Sequence, residues 1–120
     1  MTVIQVHASR NDLALVDKYE AFVHYLYPML INMSRKHRVL RDEMLQAMLD
    51  QYKLFYEAAK SRQISRIYLA DAGLARMRGI LRLLSNSRVR LLSLKQYDRA
   101  LILLSEVGSM VNAWIDNFKR

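Results

Sequence analysis

Apolar residues recur along this chain at three- and four-residue steps, in four runs separated by short polar breaks, which is the signature of amphipathic helices. In the first run, Leu15, Tyr19, Phe22, Val23, Leu26, Met29, Leu30 and Met33 fall within one arc of a helical wheel and predict a helix over Leu13 to Met33. Asn11 or Asp12 can accept the free amide bonds at its start, and Pro28 predicts a kink near its end. The polar run Ser34-Arg35-Lys36-His37-Arg38 breaks the pattern. Leu45, Met48, Leu49, Tyr52, Phe55, Tyr56 and Ala59 then form the stripe of a second helix over Leu40 to Lys60, with Asp42 and Glu43 expected in its first turn, where they suit the helix dipole. After Ser61-Arg62-Gln63, a third helix carries Ile64, Ile67, Ala70, Leu74, Met77, Leu81 and Leu84 on one face. Asn86 to Leu92 reads as a loop, and Ser93 as the N-cap of a fourth helix over Leu94 to Phe118. Its apolar face runs from Tyr97 through Leu104, Val107 and Val111 to Phe118, opposite Asp98, Ser105, Ser109, Asn112 and Asp116.

Four helices of about 20 residues joined by short turns predict an all-α, antiparallel up-down-up-down bundle in a single domain spanning residues 1–120, with residues 1–12 expected to be poorly ordered. The third helix is apolar on a second side as well, at Tyr68, Leu69, Ala72, Ala75 and Leu83. The second helix repeats this weakly with Leu40, Ala47, Leu54 and Ala58. A helix apolar on two sides wants two partners, so these faces predict self-association, the alternative being a thicker core within a monomer. Tyr25 and Tyr27 lie off the first stripe, placed to fill an interface or to stack on bases.

Charge changes the picture more than size does. The 120 residues carry 19 Lys and Arg against 11 Asp and Glu, a net charge of +8. Between Lys60 and Arg90 stand Lys60, Arg62, Arg66, Arg76, Arg78, Arg82, Arg88 and Arg90 with a single acid, Asp71, so this segment holds 8 − 1 = +7 and the rest of the chain 11 − 10 = +1. Seven of those eight cations are arginine, whose rigid fork matches phosphate in two places at once. Arg35, Lys36 and Arg38, continued by Arg41, form a second cluster that an antiparallel bundle brings to the same end as Arg88 and Arg90. A polyanion, or an acidic protein surface, is the partner this distribution predicts. Asp71, alone among arginines, is expected to pair with Arg78 or with an arginine of a neighbouring helix or subunit.

Catalytic and metal-binding patterns are not found. The chain has no Cys, its His7, His24 and His37 are scattered without helical spacing, and no Glu-x-x-His pair of the bundle metal-site kind occurs. Gly73, Gly79 and Gly108 lie inside helices, where they read as points of close packing rather than as a phosphate loop. The expectation is therefore a protein without catalytic residues or cofactor. With no leader-like segment and no apolar run of about 18 residues, it is expected in the cytoplasm and away from membranes.

Three strings carry a resemblance: Tyr25-Leu26-Tyr27-Pro28, then Ala70-Asp71-Ala72-Gly73-Leu74 followed by Arg78 and Arg82, then Glu106-Val107-Gly108 followed by Trp114-Ile115. Over about Tyr19 to Ile115 the chain resembles Avd, the accessory variability determinant of diversity-generating retroelements. It also resembles, within the same superfamily, the four-helix bundles encoded in ribosomal-RNA intervening sequences, whose role is unclear. The resemblance implies a basic, pentameric barrel of bundles that binds the element's reverse transcriptase and structured RNA or RNA/DNA hybrid, and supports mutagenic cDNA synthesis without doing the chemistry. Matched to that pattern, Arg76, Arg78 and Arg82 are the candidate binding residues, with Arg35, Lys36 and Arg38 beside them. Arg62, Arg66, Arg88 and Arg90 are added on charge alone. Tyr68, Leu69, Ala72, Leu83, Leu54 and Tyr27 are the candidate subunit contacts.

Overall fold

The structure, a computed structural model, describes residues 10–119, with side chains from Ala14 onward. Four α-helices account for it: α1 (Arg10–Ile31), α2 (Arg38–Ser61), α3 (Ile64–Ser85) and α4 (Leu94–Lys119). A single 3-10 turn, Arg35–His37, separates α1 from α2, and no strand occurs among the described residues. Each helix packs on the one before it and α4 closes back on α1, while the diagonal pairs stay apart. At a rise of about 1.5 Å per residue, α4 is about 39 Å long, close to the 45 Å long axis of the molecule, so the helices run along it.

The core explains why the helices associate. Leu15, Tyr19, Phe22, Leu26 and Leu30 from α1 meet Met44, Met48 and Phe55 from α2, Ile67, Leu74, Met77, Leu81 and Leu84 from α3, and Leu104, Val107, Val111 and Ile115 from α4, all buried. Tyr19 ties three helices at the centre. Its hydroxyl donates to the Met48 carbonyl at 2.6 Å and lies 3.8 Å from the Met77 sulfur, and its ring meets Tyr52 and Phe55 edge-on. A fully buried hydroxyl needs such a partner, and the same burial pushes its pKa upward.

Helix α4 starts where Ser93 was expected to cap it. The Ser93 hydroxyl accepts from the Gln96 amide at 3.0 Å, and the Gln96 side chain accepts from the Ser93 amide at 3.0 Å, a reciprocal capping box. The preceding loop is also held. The Asn86 side chain accepts from the Arg88 amide, the Leu84 carbonyl accepts from the amides of Leu91 and Leu92, and the Leu92 side chain is buried.

Several expectations are corrected. Helix α1 already includes Arg10, so Asn11 and Asp12 lie within the helix rather than ahead of it. Of the segment 1–12, expected to be poorly ordered, residues 10–12 belong to α1 and residues 1–9 lie outside the described residues. Helix α1 ends at Ile31, two residues before the expected Met33, and it continues through Pro28, which is exposed, so the missing donor falls on the solvent side. Helix α2 begins at Arg38, two residues early, so Asp42 and Glu43 fall in its second turn. Its core seam is Met44, Ala47, Met48, Gln51, Phe55 and Ala58. Leu49 and Tyr56, placed in the core by periodicity, are 63% and 56% exposed. Conversely Ala47 and Ala58, assigned to an outer face, are buried.

Gly73 sets the closest approach in the bundle. A Cβ there would run into the Gln51 side-chain amide oxygen, Oε1, and stand 2.8 Å from Leu54 Cδ1. Gln51 fills the notch, donating from Nε2 to the Ala70 carbonyl at 2.8 Å, while its Oε1 has no partner. Gly79 faces open space and therefore does not serve close packing within the chain.

Candidate nucleic-acid interface

The arginines of α3 divide by side. Arg76 turns towards α2, where one guanidinium nitrogen donates to Glu43 at 2.8 Å and the other to Asp50 at 3.0 Å. These partners raise the Arg76 pKa, and the Gln46 amide, followed by Arg76, lowers that of Asp50. Arg66, on the same flank, comes within 4.0 Å of Glu57. Glu43, Asp50 and Glu57 recur every seven residues, which draws one acidic line along α2 facing these two arginines.

The other flank has no such line. The nearest atom to an ideal Cβ on Gly108 of α4 is Arg78 Nη1, at 4.0 Å, so this guanidinium crosses onto α4 where that helix has no side chain. Arg82 follows one turn later on the same side of α3 and is exposed. Neither meets a carboxylate within 4.0 Å among the described residues. The expected pair between Asp71 and Arg78 does not form: the two stand two turns apart on α3, and Arg78 reaches α4 instead. At the far end of this flank Lys119 Nζ lies 5.9 Å from the centre of the Tyr68 ring, within cation–π reach.

The ends carry the remaining cations. Alternating helix direction puts the α1–α2 and α3–α4 connections at one end, so Arg35, Lys36, Arg38, Arg88 and Arg90 gather there, all exposed. The N-termini of α2 and α4, the positive ends of their dipoles, point the same way. Arg62 lies at the opposite end as the left-handed C-cap of α2, its amide donating to the Ala58 carbonyl. Arg90 is left-handed too, at φ 41°. Glycine is the cheaper residue at such positions. Of the ten cations named from sequence, Arg76 and Arg66 meet carboxylates and the other eight meet none within 4.0 Å among the described residues.

The candidate subunit contacts are placed as follows. Tyr68, Leu69, Ala72 and Leu83 are exposed on α3 as expected, and Tyr27 is 48% exposed on α1. Leu54 is half-buried over Gly73, and so it packs within the chain, between α2 and α3. Periodicity missed a cleft between α1 and α2, of about 220 Å³ and lined by Val23, Tyr27, Leu45, Met48, Leu49 and Tyr52. The Tyr52 hydroxyl donates to Glu20 at 3.3 Å beside it, and desolvation, reinforced by Glu20, pushes its pKa up to about 12. No three His, Cys, Asp or Glu residues among those described stand close enough to hold a metal ion, and no described helix is long and apolar enough to cross a membrane.

Fold and surface together define a basic four-helix-bundle protein with one cationic flank paired to carboxylates and one that meets none among the described residues. The family to which it belongs is the bAvd-like family, whose profile matches residues 13–118, nearly the whole chain. No curated protein matches it.

Proposed function

We propose that this protein is the non-catalytic accessory factor of a diversity-generating retroelement. On this reading it binds the element's reverse transcriptase and structured RNA, or an RNA/DNA hybrid, through its bare basic surface and supports mutagenic cDNA synthesis. Membership of the bAvd-like family supports the reading, and one observation carries it: Arg78 and Arg82 lie on the α3–α4 flank with no carboxylate within 4.0 Å among the described residues. Guanidinium groups left bare on a rigid scaffold repel one another, and a polyanion relieves that repulsion while releasing its own counterions. The basic end, Arg35, Lys36, Arg38, Arg88 and Arg90, extends the same field. Arg62 adds to it at the opposite pole. Chemistry is left to the transcriptase, and no cofactor is required.

Self-association belongs to the same proposal. The apolar face of α3, at Tyr68, Leu69, Ala72 and Leu83, and the α1–α2 cleft with Tyr27 and Leu49 are different surfaces of one chain. Two unlike apolar faces join head to tail, and such contacts close into a ring when the rotation fits, a pentamer by the family resemblance. The test is direct. Light scattering measures the mass in solution, and the neighbouring transcriptase and a structured RNA are each assayed for binding at moderate salt with wild type and with Arg78→Glu/Arg82→Glu. A pentameric mass and binding lost in the double variant support the proposal. RNA binding that is absent, or indifferent to the double variant, overturns it and favours an adaptor for an acidic protein.

A further inference from the structure

We propose that the basic end of the bundle docks a protein and not nucleic acid: an acidic segment with aliphatic side chains, which lays carboxylates on Arg35, Lys36, Arg38, Arg88 and Arg90 and buries Val39 and Leu94. This goes beyond the reading of the α3–α4 flank as a nucleic-acid surface, because it gives the two basic surfaces different partners.

Val39 and Leu94 are the two most exposed large apolar side chains among the described residues, at 76% and 65%. Single apolar residues in water are ordinary, but these two stand at one end of the bundle beside a third. Arg76 bridges Glu43 and Asp50 across the α2–α3 seam. About two turns further along that seam, α2 presents Val39 and α3 presents Leu83, which is exposed as well. Where the pattern of the seam would place another ion pair, it places two aliphatic side chains in water. Leu94 reaches the same turn of α3 from the other side. The Leu84 carbonyl accepts from the amides of Leu91 and Leu92, which holds the start of α4 against that turn, and Leu94 follows two residues on.

The surroundings define the occupant. Arg35, Lys36, Arg38, Arg88 and Arg90 meet no carboxylate within 4.0 Å among the described residues, so the end is cationic around an aliphatic centre. An apolar centre with a charged rim is the anatomy of a protein interface. The phosphates and ribose hydroxyls that structured RNA presents would leave Val39 and Leu94 in water. A second copy of this chain lacks the acids. It carries a net charge of +8, and of its 11 Asp and Glu residues, Asp42, Glu43, Asp50, Glu57 and Glu106 already pair with cations of their own chain. The occupant is therefore a different protein, with carboxylates to spare on either side of an aliphatic stripe, as an amphipathic helix carries them. The transcriptase supplies that segment, a step that rests on the proposed function.

The experiment titrates the full chain with three fluorescein-labelled probes at moderate salt, with oligomer mass and thermal midpoint measured on each variant. The probes are a helical peptide whose leucine stripe is flanked by glutamates, the same peptide with alanine for every leucine, and an RNA hairpin. Wild type should bind the leucine peptide at least about tenfold more tightly than the alanine peptide, the effect of burying several methylene groups. Val39→Ser/Leu94→Ser should erase that preference while RNA affinity, mass and stability stay as in wild type. Arg78→Glu/Arg82→Glu should do the reverse, losing RNA and keeping the preference for leucine. Equal affinity of wild type for the two peptides, a preference that survives Val39→Ser/Leu94→Ser, or RNA affinity that falls with it would each overturn the proposal. A drop in oligomer mass would also overturn it, making Val39 and Leu94 subunit contacts. The neighbouring transcriptase is titrated against the same variants. If wild type does not bind it, the proposed function fails while the peptides still decide the basic end. If it binds wild type and Val39→Ser/Leu94→Ser alike, the transcriptase is excluded as the occupant.

Discussion

Helix α3 presents arginines on two flanks, and the two flanks meet opposite surroundings. Towards α2, Arg76 and Arg66 face Glu43, Asp50 and Glu57. Towards α4, Arg78 and Arg82 face a helix whose adjoining residues, Ser105, Gly108 and Asn112, carry no charge. Residues two positions apart in sequence therefore meet different partners: Arg76 pairs across to carboxylates of α2, and Arg78 has no carboxylate within 4.0 Å among the described residues. A tally of basic residues cannot draw this line. The identity of the neighbouring helix draws it.

The strongest way to test the contrast is to reverse charge on each flank separately. Arg78→Glu/Arg82→Glu should lower RNA affinity by at least about a hundredfold at moderate salt, since charge-assisted contacts are worth about 1.5–3 kcal/mol each. Helicity and oligomer mass should not change. Equal losses from Arg78→Glu/Arg82→Glu and from Arg76→Glu, measured by fluorescence anisotropy on folded protein, would erase the distinction between the flanks.

The neutralised flank should respond in stability instead. Gly73→Ala forces a methyl group into Gln51 and Leu54 and should destabilise the fold by about 1–3 kcal/mol, the usual cost of overpacking. Adding Gln51→Ala removes the obstructing amide and should recover part of that loss in chemical denaturation, with RNA affinity unchanged throughout. A Gly73→Ala protein as stable as wild type would mean that α2 and α3 are not in tight register at this point.

What the sequence made legible follows from how loudly each position speaks. Apart from Ala70, the α3 stripe from Ile67 to Leu84 consists of large apolar residues, and every one named from periodicity beyond Ile64 is buried. Ser93 followed by Gln96 spelled a cap. The α2 seam was misread because Ala47, Gln51 and Ala58 are small or polar, while Leu45, Leu49, Tyr52 and Tyr56 on the adjoining face look more like a core. That louder line borders the α1–α2 cleft and is left partly in water. Gln51 belongs inside because Gly73 makes a notch for it across the helix pair, a relation no single-helix pattern contains. The candidate site shows the same limit. The cluster of cations was plain, but the partners that remove Arg76 and Arg66 from it stand on another helix. The seven-residue spacing of Glu43, Asp50 and Glu57 is the signal that could have revealed them, and a pattern of apolar residues alone does not read it.

Smaller in effect is Arg76→Glu itself. It places a third carboxylate beside Glu43 and Asp50, and exposed ion pairs contribute little individually. The thermal midpoint should fall by a few degrees while RNA affinity moves by less than about threefold, the reduced net charge acting only at long range. A second change, Asp50→Lys, should return part of the lost stability by restoring an opposite pair. Failure of that rescue would show that Arg76 acts through Glu43 alone.

The smallest expected effect lies in acid. The Gln46 amide at 2.8 Å, and then Arg76 at 3.0 Å, stabilise the ionised form of Asp50 and hold its pKa below the ordinary value. In the unfolded chain the group returns to about 3.9. The unfolded state therefore binds the proton more readily, and the contribution of Asp50 to stability is complete above that unfolded value and lost as pH falls through the lower folded one. Asp50→Asn should accordingly be less stable than wild type near neutrality and converge on it in strong acid, as followed by circular dichroism across a pH series. Convergence is the discriminating feature. A difference that stayed constant down to low pH would mean that the asparagine costs stability through shape, and that the charge facing Arg76 contributes nothing to joining α2 and α3.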